Sequence, residues 1–190
     1  INLDVTTLAD FAEVEEIRTV ISLLAPRVAN RINISDLSKI SGIYRSKLDE
    51  IIEFLESSYL IRRLNVFSNS PDVKARKQEK LYFVDTGIAV LNGDLSFEAK
   101  FENTVAHQLY QHGNLSYFED KNGEIEFILQ RGNNFTGKQN IALEVKETPL
   151  KKHLNTVRSK SSTLGIAESY LIGHTKPANG FKEFIWGGQI

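Results

Sequence analysis

The spacing of apolar residues changes near Tyr59, and this change constrains the fold more than any other feature. Before it, apolar residues recur every three or four positions, as in Val14, Ile17, Ile21 and Leu24. That spacing is the period of an amphipathic helix. After Tyr59, apolar and polar residues mostly alternate, which is the period of a strand with one buried face. The sequence therefore predicts helices first and a strand-rich portion later, in a fold that mixes the two.

The first part of the chain predicts three short helices and a hairpin. Asn33 or Ser35 can cap the second helix, and Gly42 is a typical helix end. We expect helices over 12–25, from about 34 to 42 and around 48–55, then strands over 59–67 and 80–84 joined by a polar loop over 68–77. Three short helices followed by a hairpin with a basic loop form the winged-helix arrangement, in which the third helix enters a major groove.

The charge distribution gives this portion a possible nucleic-acid contact. The chain has 23 basic and 24 acidic residues, and this balance alone does not favour a polyanionic partner. The window 61–80, however, holds six basic and two acidic residues. The candidate contacts are Tyr44, Arg45, Lys47, Arg62, Lys74, Arg76 and Lys77.

Acidic residues on the predicted third helix oppose this interpretation. Asp49, Glu50, Glu53 and Glu56 would be repelled by phosphate if they faced DNA. Winged helices also dock proteins, and fold alone does not decide between the two functions. Nucleic acid and a protein partner both stay open.

The second part of the chain predicts an α/β domain around a mixed sheet. We expect helices over 97–111 and 150–164, and strands over 115–118, 124–129, 141–145, 169–172 and 184–186. An Asn122-Gly123 turn signal opens the second of these strands. The boundary is expected between Asp85 and Phe97, which gives a winged-helix domain over 1–90 and an α/β domain over 91–190. Asp85 is expected to cap a backbone turn at this junction.

Charged residues occur in two of these strands, where burial is expected. Glu124 and Glu126 share one face of their strand, and Glu144 and Lys146 share one face of the next. Such groups are costly to bury unless they are paired or bound to a metal. An ordinary ion pair between Glu144 and Lys146 is one explanation. The helix residue Glu102 precedes both strands. The helix acid, the acidic strand and the Glu144–Lys146 pair together favour a second explanation.

The second explanation is metal-assisted phosphodiester hydrolysis. Glu126 and Glu144 would offer hard oxygens to Mg²⁺ or Mn²⁺, with the backbone carbonyl of Val145 as a third ligand. Lys146 would orient or help to deprotonate the attacking water and offset charge on the phosphorus. Glu102 would hold a water of the metal. The predicted catalytic residues are thus Lys146, Glu144, Glu126 and Glu102.

Two runs of sequence resemble a known superfamily. The runs 124–129, Glu-Ile-Glu-Phe-Ile-Leu, and 142–146, Ala-Leu-Glu-Val-Lys, resemble the acidic strand and the E-x-K strand of the PD-(D/E)xK, or restriction-endonuclease-like, superfamily. With 80–87, Lys-Leu-Tyr-Phe-Val-Asp-Thr-Gly, and 100–105, Lys-Phe-Glu-Asn-Thr-Val, they resemble more closely the C-terminal region of a large prokaryotic family of predicted AAA-type ATPases. The resemblance covers about residues 4 to 172.

This resemblance implies a domain order and a set of roles. In that family a P-loop ATPase domain precedes a winged helix and a nuclease-like domain of uncharacterised function. By position, Glu102 matches the helix acid, Glu126 the metal-binding acid, and Glu144 and Lys146 the E-x-K pair. The family more usually has Asp at the position of Glu126. The resemblance implies either a Mg²⁺-dependent nuclease or a catalytically inactive DNA- or protein-binding regulatory module coupled to the ATPase.

Other features exclude or favour broad classes. The chain contains no G-x-x-x-x-G-K-[ST], so ATP is expected to bind only in an N-terminal ATPase domain of the same polypeptide. It has no cysteine, which fits a reducing compartment and a cytoplasmic location, and no apolar run long enough to span a membrane. It starts at Ile1 without methionine, as a piece of a longer protein would. The four histidines show no metal-ligand spacing and are expected at the surface, and Phe184 and Trp186 are expected to pack at an edge or in the core.

Overall fold

The computed structural model describes residues 11–121, 123–132, 139–177 and 180–190. The first ten residues of the predicted N-terminal domain and Asn122 of the predicted turn lie outside these ranges. The predicted mixture of helices with a central mixed sheet is confirmed. No helix in the described ranges has the length and apolar character needed to cross a membrane.

The helices and strands follow one another in nearly the predicted order. The helices are α1 Phe11–Leu24, α2 Ile34–Ser41, α3 Arg45–Ser57, α4 Pro71–Arg76, α5 Thr86–Asn92, α6 Phe97–Leu109 and α7 Lys151–Thr163. The strands are β1 Ile61–Leu64, β2 Lys80–Phe83, β3 Asn114–Asp120, β4 Gly123–Arg131, β5 Gln139–Lys146, β6 Glu168–Gly173 and β7 Phe184–Trp186. Short 3-10 turns follow α1 and β7.

Helix boundaries in the first part have local causes. The Asn33 side chain accepts hydrogen bonds from the backbone N–H groups of Ser35 and Asp36, at 3.0 and 3.3 Å, and so begins α2. Gly42 ends α2 with a φ of 73°, a conformation that favours glycine. Strands β1 and β2 then pair antiparallel, with Ile61 opposite Phe83. The predicted order of three helices and a hairpin is confirmed, while the winged-helix class itself stays a prediction.

Two segments expected to be irregular contain helices. The predicted loop over 68–77 contains α4, which begins because the Ser70 hydroxyl accepts from the Val73 N–H at 3.4 Å and Pro71 suits a first helical position. The predicted boundary stretch contains α5. The Asp85 carboxylate caps α5 by accepting from the Gly87 N–H at 2.7 Å, which confirms its capping role.

The larger sheet has the strand order β3-β4-β5-β6-β7. Strands β3, β4 and β5 pair antiparallel, whereas β5, β6 and β7 are parallel. Helix α7 connects β5 to β6, as a parallel pair requires a crossover. A β-bulge in the β3–β4 pairing places both Glu126 and Phe127 opposite Tyr117. Ile125 before the bulge therefore packs on the α7 side, while Phe127 packs on the opposite side, toward α6.

The hairpin of β1 and β2 contributes to two hydrophobic cores. Leu81 and Phe83 are buried among α1, α2 and α3, whereas Leu64 and Tyr82 are buried against the five-stranded sheet and α6. Successive strand residues point to opposite faces, so one short hairpin can serve both cores. The buried Asn103 of α6 joins the hairpin to the second core, because its side chain accepts from the Phe83 N–H at 2.8 Å and donates to the Phe83 carbonyl at 3.0 Å. The division near residue 90 stays a prediction.

Candidate active site

Four carboxylates meet two lysines where α6, β2, β4 and β5 come together. We call this set the carboxylate cluster; its members are Lys80, Tyr82, Glu102, Glu124, Glu126, Glu144 and Lys146. The structure thus brings together the four residues predicted to be catalytic and adds Glu124 of β4 and two residues of the hairpin.

Glu126 lies at the centre of the cluster. Its Oε1 accepts a hydrogen bond from Lys146 Nζ at 2.7 Å, and its Oε2 accepts from the backbone N–H of Val145. Lys146 Nζ also lies 3.0 Å from Glu144 Oε1. Glu126 occupies the bulge of β4, a feature that commonly redirects a side chain beside a functional site. Lys146 therefore bridges Glu126 and Glu144, the two carboxylates predicted from the sequence to be metal ligands.

The hairpin holds the other half of the cluster. The Tyr82 hydroxyl donates to Glu102 Oε1 at 2.8 Å, and Lys80 Nζ lies 3.6 Å from the same oxygen. Lys80 also pairs with Glu124, and its side chain is only 6% exposed. Lys80 is one of the six basic residues counted in the window 61–80, but its side chain is buried in this cluster and therefore adds no charge to an exposed basic surface. The alternation of Lys80 and Tyr82 around the core residue Leu81 is the signal that could have placed the two side chains on one face of β2.

The cluster has more negative than positive groups. Four carboxylates face two ammonium groups, which leaves two negative charges when all six groups are ionised. Burial raises the pKa of Glu126 to about 8, with further contributions from Glu144 and Glu102 that outweigh the opposing effect of Lys146. Burial likewise raises the pKa of Glu102 despite Lys80 and the Tyr82 hydroxyl. The site therefore favours a proton or a cation.

The two lysines stay charged. Burial acts to lower the pKa of Lys146, but Glu126 and Glu144 outweigh it and leave that pKa raised. The same balance raises the pKa of Lys80, where burial is outweighed by Glu102 and Glu124. A raised pKa favours the orienting and charge-offsetting roles predicted for Lys146 over the role in deprotonating water.

The donor set fits a divalent cation of the magnesium type. Within the described ranges, no three Asp, Glu or His side chains are arranged to bind one ion directly. Mg²⁺ usually keeps several waters and needs only one or two carboxylates, which Glu126 and Glu144 supply. When all four carboxylates are ionised, the two excess negative charges match such a cation. Val145 contributes its N–H to Glu126, and this contact orients the carboxylate.

His153 is a neighbour that the sequence did not indicate. It lies in the first turn of α7, and its Nδ1 accepts a hydrogen bond from the Leu150 N–H at 3.2 Å. Burial, followed by the charges of Lys146 and Lys152, lowers its pKa. A neutral imidazole held in this way presents Nε2–H as a donor near the cluster. Its position follows from the crossover between β5 and β6, which the sequence did not specify.

Four of the seven predicted nucleic-acid contacts line one cavity. This cavity, of about 670 Å³, lies between the first turn of α3 and helix α4. Its basic lining residues, which define the basic groove, are Arg45, Arg63, Lys74, Arg76 and Lys77. Asp49 and Glu79 also line it. Arg63 is engaged by Glu56 at 2.6 Å and by Glu79 at 3.2 Å.

The other three predicted contacts lie elsewhere. Tyr44 and Lys47 line a separate cavity of about 380 Å³, and Lys47 Nζ bonds Glu13 at 2.9 Å. The Arg62 guanidinium lies 4.5 Å from the centroid of the Tyr110 ring. The six basic residues of the window 61–80 are therefore divided. Four of them line the basic groove, Arg62 lies against Tyr110, and Lys80 is buried in the carboxylate cluster.

Comparison with known proteins gives one match. A family model described as a domain of unknown function, DUF8612, matches residues 1–96, a span that includes α1, α2, α3, the hairpin and α5. Neither the curated proteins nor the solved structures include a match. Because the matched span is just over half of the 190 residues, the chain belongs to the DUF8612 family.

Proposed function

We propose that the chain is a metal-dependent phosphodiesterase that acts on nucleic acid, with the carboxylate cluster as its active site. The observation that supports this proposal is that four carboxylates face only two ammonium groups around Glu126, in a site where burial already raises the pKa of that carboxyl. A divalent cation satisfies this excess, and two adjacent carboxylates are suitable ligands.

Each residue of the cluster has a role that follows from its contacts. Glu126 and Glu144 would hold Mg²⁺ or Mn²⁺, which when bound supplies Lewis-acid polarisation of a phosphoryl oxygen. Lys146 keeps both carboxylates in place and offers a fixed positive charge to the phosphate. Glu102, fixed by Lys80 and Tyr82, accepts a hydrogen bond from the attacking water.

The basic groove would hold the nucleic acid. Exposed Lys74, Arg76 and Arg45 attract phosphates without reading sequence, as backbone contacts do. We further propose that the two parts form the winged helix and the nuclease-like domain of an AAA-type ATPase, in the cytoplasm, with ATP bound by an N-terminal domain of the same polypeptide. The sequence resemblance supports this assignment.

Cleavage by the purified chain tests the enzymatic proposal. Plasmid and single-stranded DNA are incubated with Mg²⁺ or Mn²⁺, and the products are separated by electrophoresis. We expect cleavage that EDTA abolishes and that Lys146→Ala lowers at least 100-fold, in the range found for electrostatic catalytic groups. Lys39→Ala, which removes an exposed lysine of α2, is the matched control and should cleave normally. Uncut substrates, or cleavage that survives Lys146→Ala, would contradict the proposal.

A catalytically inactive regulatory module is the second candidate. The contacts that favour it join the hairpin to the sheet, because Lys80 and Tyr82 reach across to Glu102 and Glu124. A cluster with this purpose would stabilise the junction without chemistry. This second candidate function predicts that Lys80→Ala lowers the free energy of unfolding by the same amount with and without Mg²⁺. It also predicts that the chain cuts no substrate.

A further inference from the structure

An aromatic surface lies beside the carboxylate cluster at the carboxyl ends of three parallel strands. Gly173 of β6 is in register with Lys146 of β5 on one side and with Trp186 of β7 on the other. The His174 N–H donates to the Lys146 carbonyl at 3.3 Å. The carboxyl ends of parallel strands are where open α/β sheets bind ligands.

Three side chains form this surface, which we call the aromatic platform: Phe97, His174 and Trp186. The Phe97 and His174 rings meet edge to face, with centroids 4.8 Å apart and planes at 80°. Trp186 Nε1 donates to the His174 carbonyl at 3.2 Å. Phe97 is 45% exposed and Trp186 is 39% exposed, so the expectation that Trp186 packs at an edge or in the core describes only part of its surface.

The turn that follows β7 packs closely against Trp186 of the platform and against the nearby ring of Phe101. A Cβ on Gly187 would come within 2.6 Å of the Phe101 ring, and a Cβ on Gly188 within 3.0 Å of the Trp186 ring. The turn after β7 can therefore pack against both rings only because it lacks side chains at these positions. Lys176 Nζ lies 5.4 Å from the Trp186 centroid and brings a positive charge to the platform.

We propose that the aromatic platform stacks the bases of single-stranded nucleic acid next to the carboxylate cluster. Exposed aromatic rings with a nearby cation are the means by which proteins bind single strands without sequence preference. Bases of an intact duplex are already stacked on one another and do not offer their faces. This inference rests on the proposed function, because it assigns the substrate of that site as a single strand or an unpaired strand end.

The fluorescence of Trp186 tests the platform directly, because it is the only tryptophan of the chain. A short single-stranded oligonucleotide is titrated into the full chain in EDTA, so that binding is measured without cleavage. We expect it to quench Trp186, and we expect an abasic strand of the same length and a blunt duplex not to do so. Phe97→Ala should weaken the quenching titration about 5-fold to 100-fold, as removal of a stacking ring does. Ile40→Ala, an exposed apolar residue of α2, is the control and should bind normally.

The result separates this inference from the proposed function. Lys146→Ala should keep the quenching even where it abolishes cleavage. If quenching is found in a protein that cuts no substrate, the platform stands and the enzymatic proposal fails. An unquenched Trp186, equal binding of the abasic strand, or unchanged affinity of Phe97→Ala overturns the inference and leaves the platform as a packing or protein-docking surface.

Discussion

Glu126 has the most unusual environment among the residues of the carboxylate cluster. It accepts hydrogen bonds from a lysine and from a backbone N–H, yet its pKa is raised to about 8 because burial and two neighbouring carboxylates outweigh these contacts. In the metal-free protein, folding therefore keeps a proton on Glu126 that the unfolded chain loses near its ordinary value of 4.5. Between these two pH values the unfolded state binds fewer protons than the folded state. The free energy of unfolding therefore falls as pH rises from 4.5 to about 8.

This protonation predicts a pH-dependent effect of Glu126→Gln. The variant resembles the protonated side chain, so its stability relative to the wild-type chain should rise by about 4–5 kcal/mol from pH 4.5 to above pH 8. The measurement is urea unfolding in EDTA at several pH values, followed by Trp186 fluorescence. Glu53→Gln, which changes an exposed glutamate of α3, should show a much smaller slope. A stability difference that does not change with pH would show that Glu126 titrates normally.

The sequence predicted the acidic half of the site better than the basic half. Glu126, Glu144 and Lys146 lie on two neighbouring strands, and alternation within each strand was enough to group them. Lys80 lies on the hairpin and pairs with Glu102 and Glu124, which are distant in sequence. No local sequence pattern predicts such tertiary contacts. The β-bulge at Glu126 was equally hidden, because a bulge depends on the pairing of two strands.

At the scale of elements, the predicted basic loop over 68–77 contains helix α4, which determines where its basic side chains lie. It presents Lys74 and Arg76 to the same groove as Arg45, whereas Arg62 lies against Tyr110 on the other side of the hairpin. The sequence predicted a loop here because Ser, Pro and Asp favour turns, but the same residues begin short helices. Helix ends that depend on local caps, such as Asn33 and Gly42, were predicted well.

This geometry predicts which basic residues control the salt dependence of DNA binding. The double variant Lys74→Ala and Arg76→Ala should reduce the slope of log affinity against log salt by about two, because each phosphate contact contributes about one. Arg62→Ala should leave the slope unchanged, since its side chain lies outside the groove. Fluorescence anisotropy of a labelled duplex, between about 50 and 200 mM salt, measures both. Loss of slope in Arg62→Ala, or none in the double variant, would place the nucleic-acid contact elsewhere.

At the scale of the whole molecule, the two hydrophobic cores are joined by the hairpin. Leu81 and Phe83 belong to the helical core, and Leu64 and Tyr82 belong to the core of the sheet. Neither core is complete without the same two strands. The sequence suggested two domains because a new pattern of helices and strands begins after the stretch between Asp85 and Phe97, and it could not show that one hairpin serves both cores.

A shared hairpin predicts cooperative unfolding of the chain. Leu48→Ala opens a cavity in the helical core and should cost about 2–5 kcal/mol. We expect it to shift the urea midpoint of Trp186 fluorescence, which reports on the sheet, as much as the midpoint of the far-ultraviolet circular dichroism signal. Ile40→Ala, on the exposed surface of α2, should shift neither. If the Trp186 transition stays in place while the circular dichroism transition moves, the two cores unfold independently.

The segment leading into β2 contributes adjacent residues to the basic groove and to the carboxylate cluster. Glu79 lines the basic groove, and Lys80 is the cation that holds Glu102 and Glu124. A polyanion that displaced Glu79 on binding would also shift Lys80 and so change its ionic contacts in the carboxylate cluster. By thermodynamic reciprocity, a cation bound at the cluster would then alter the affinity of the groove for the polyanion by the same factor.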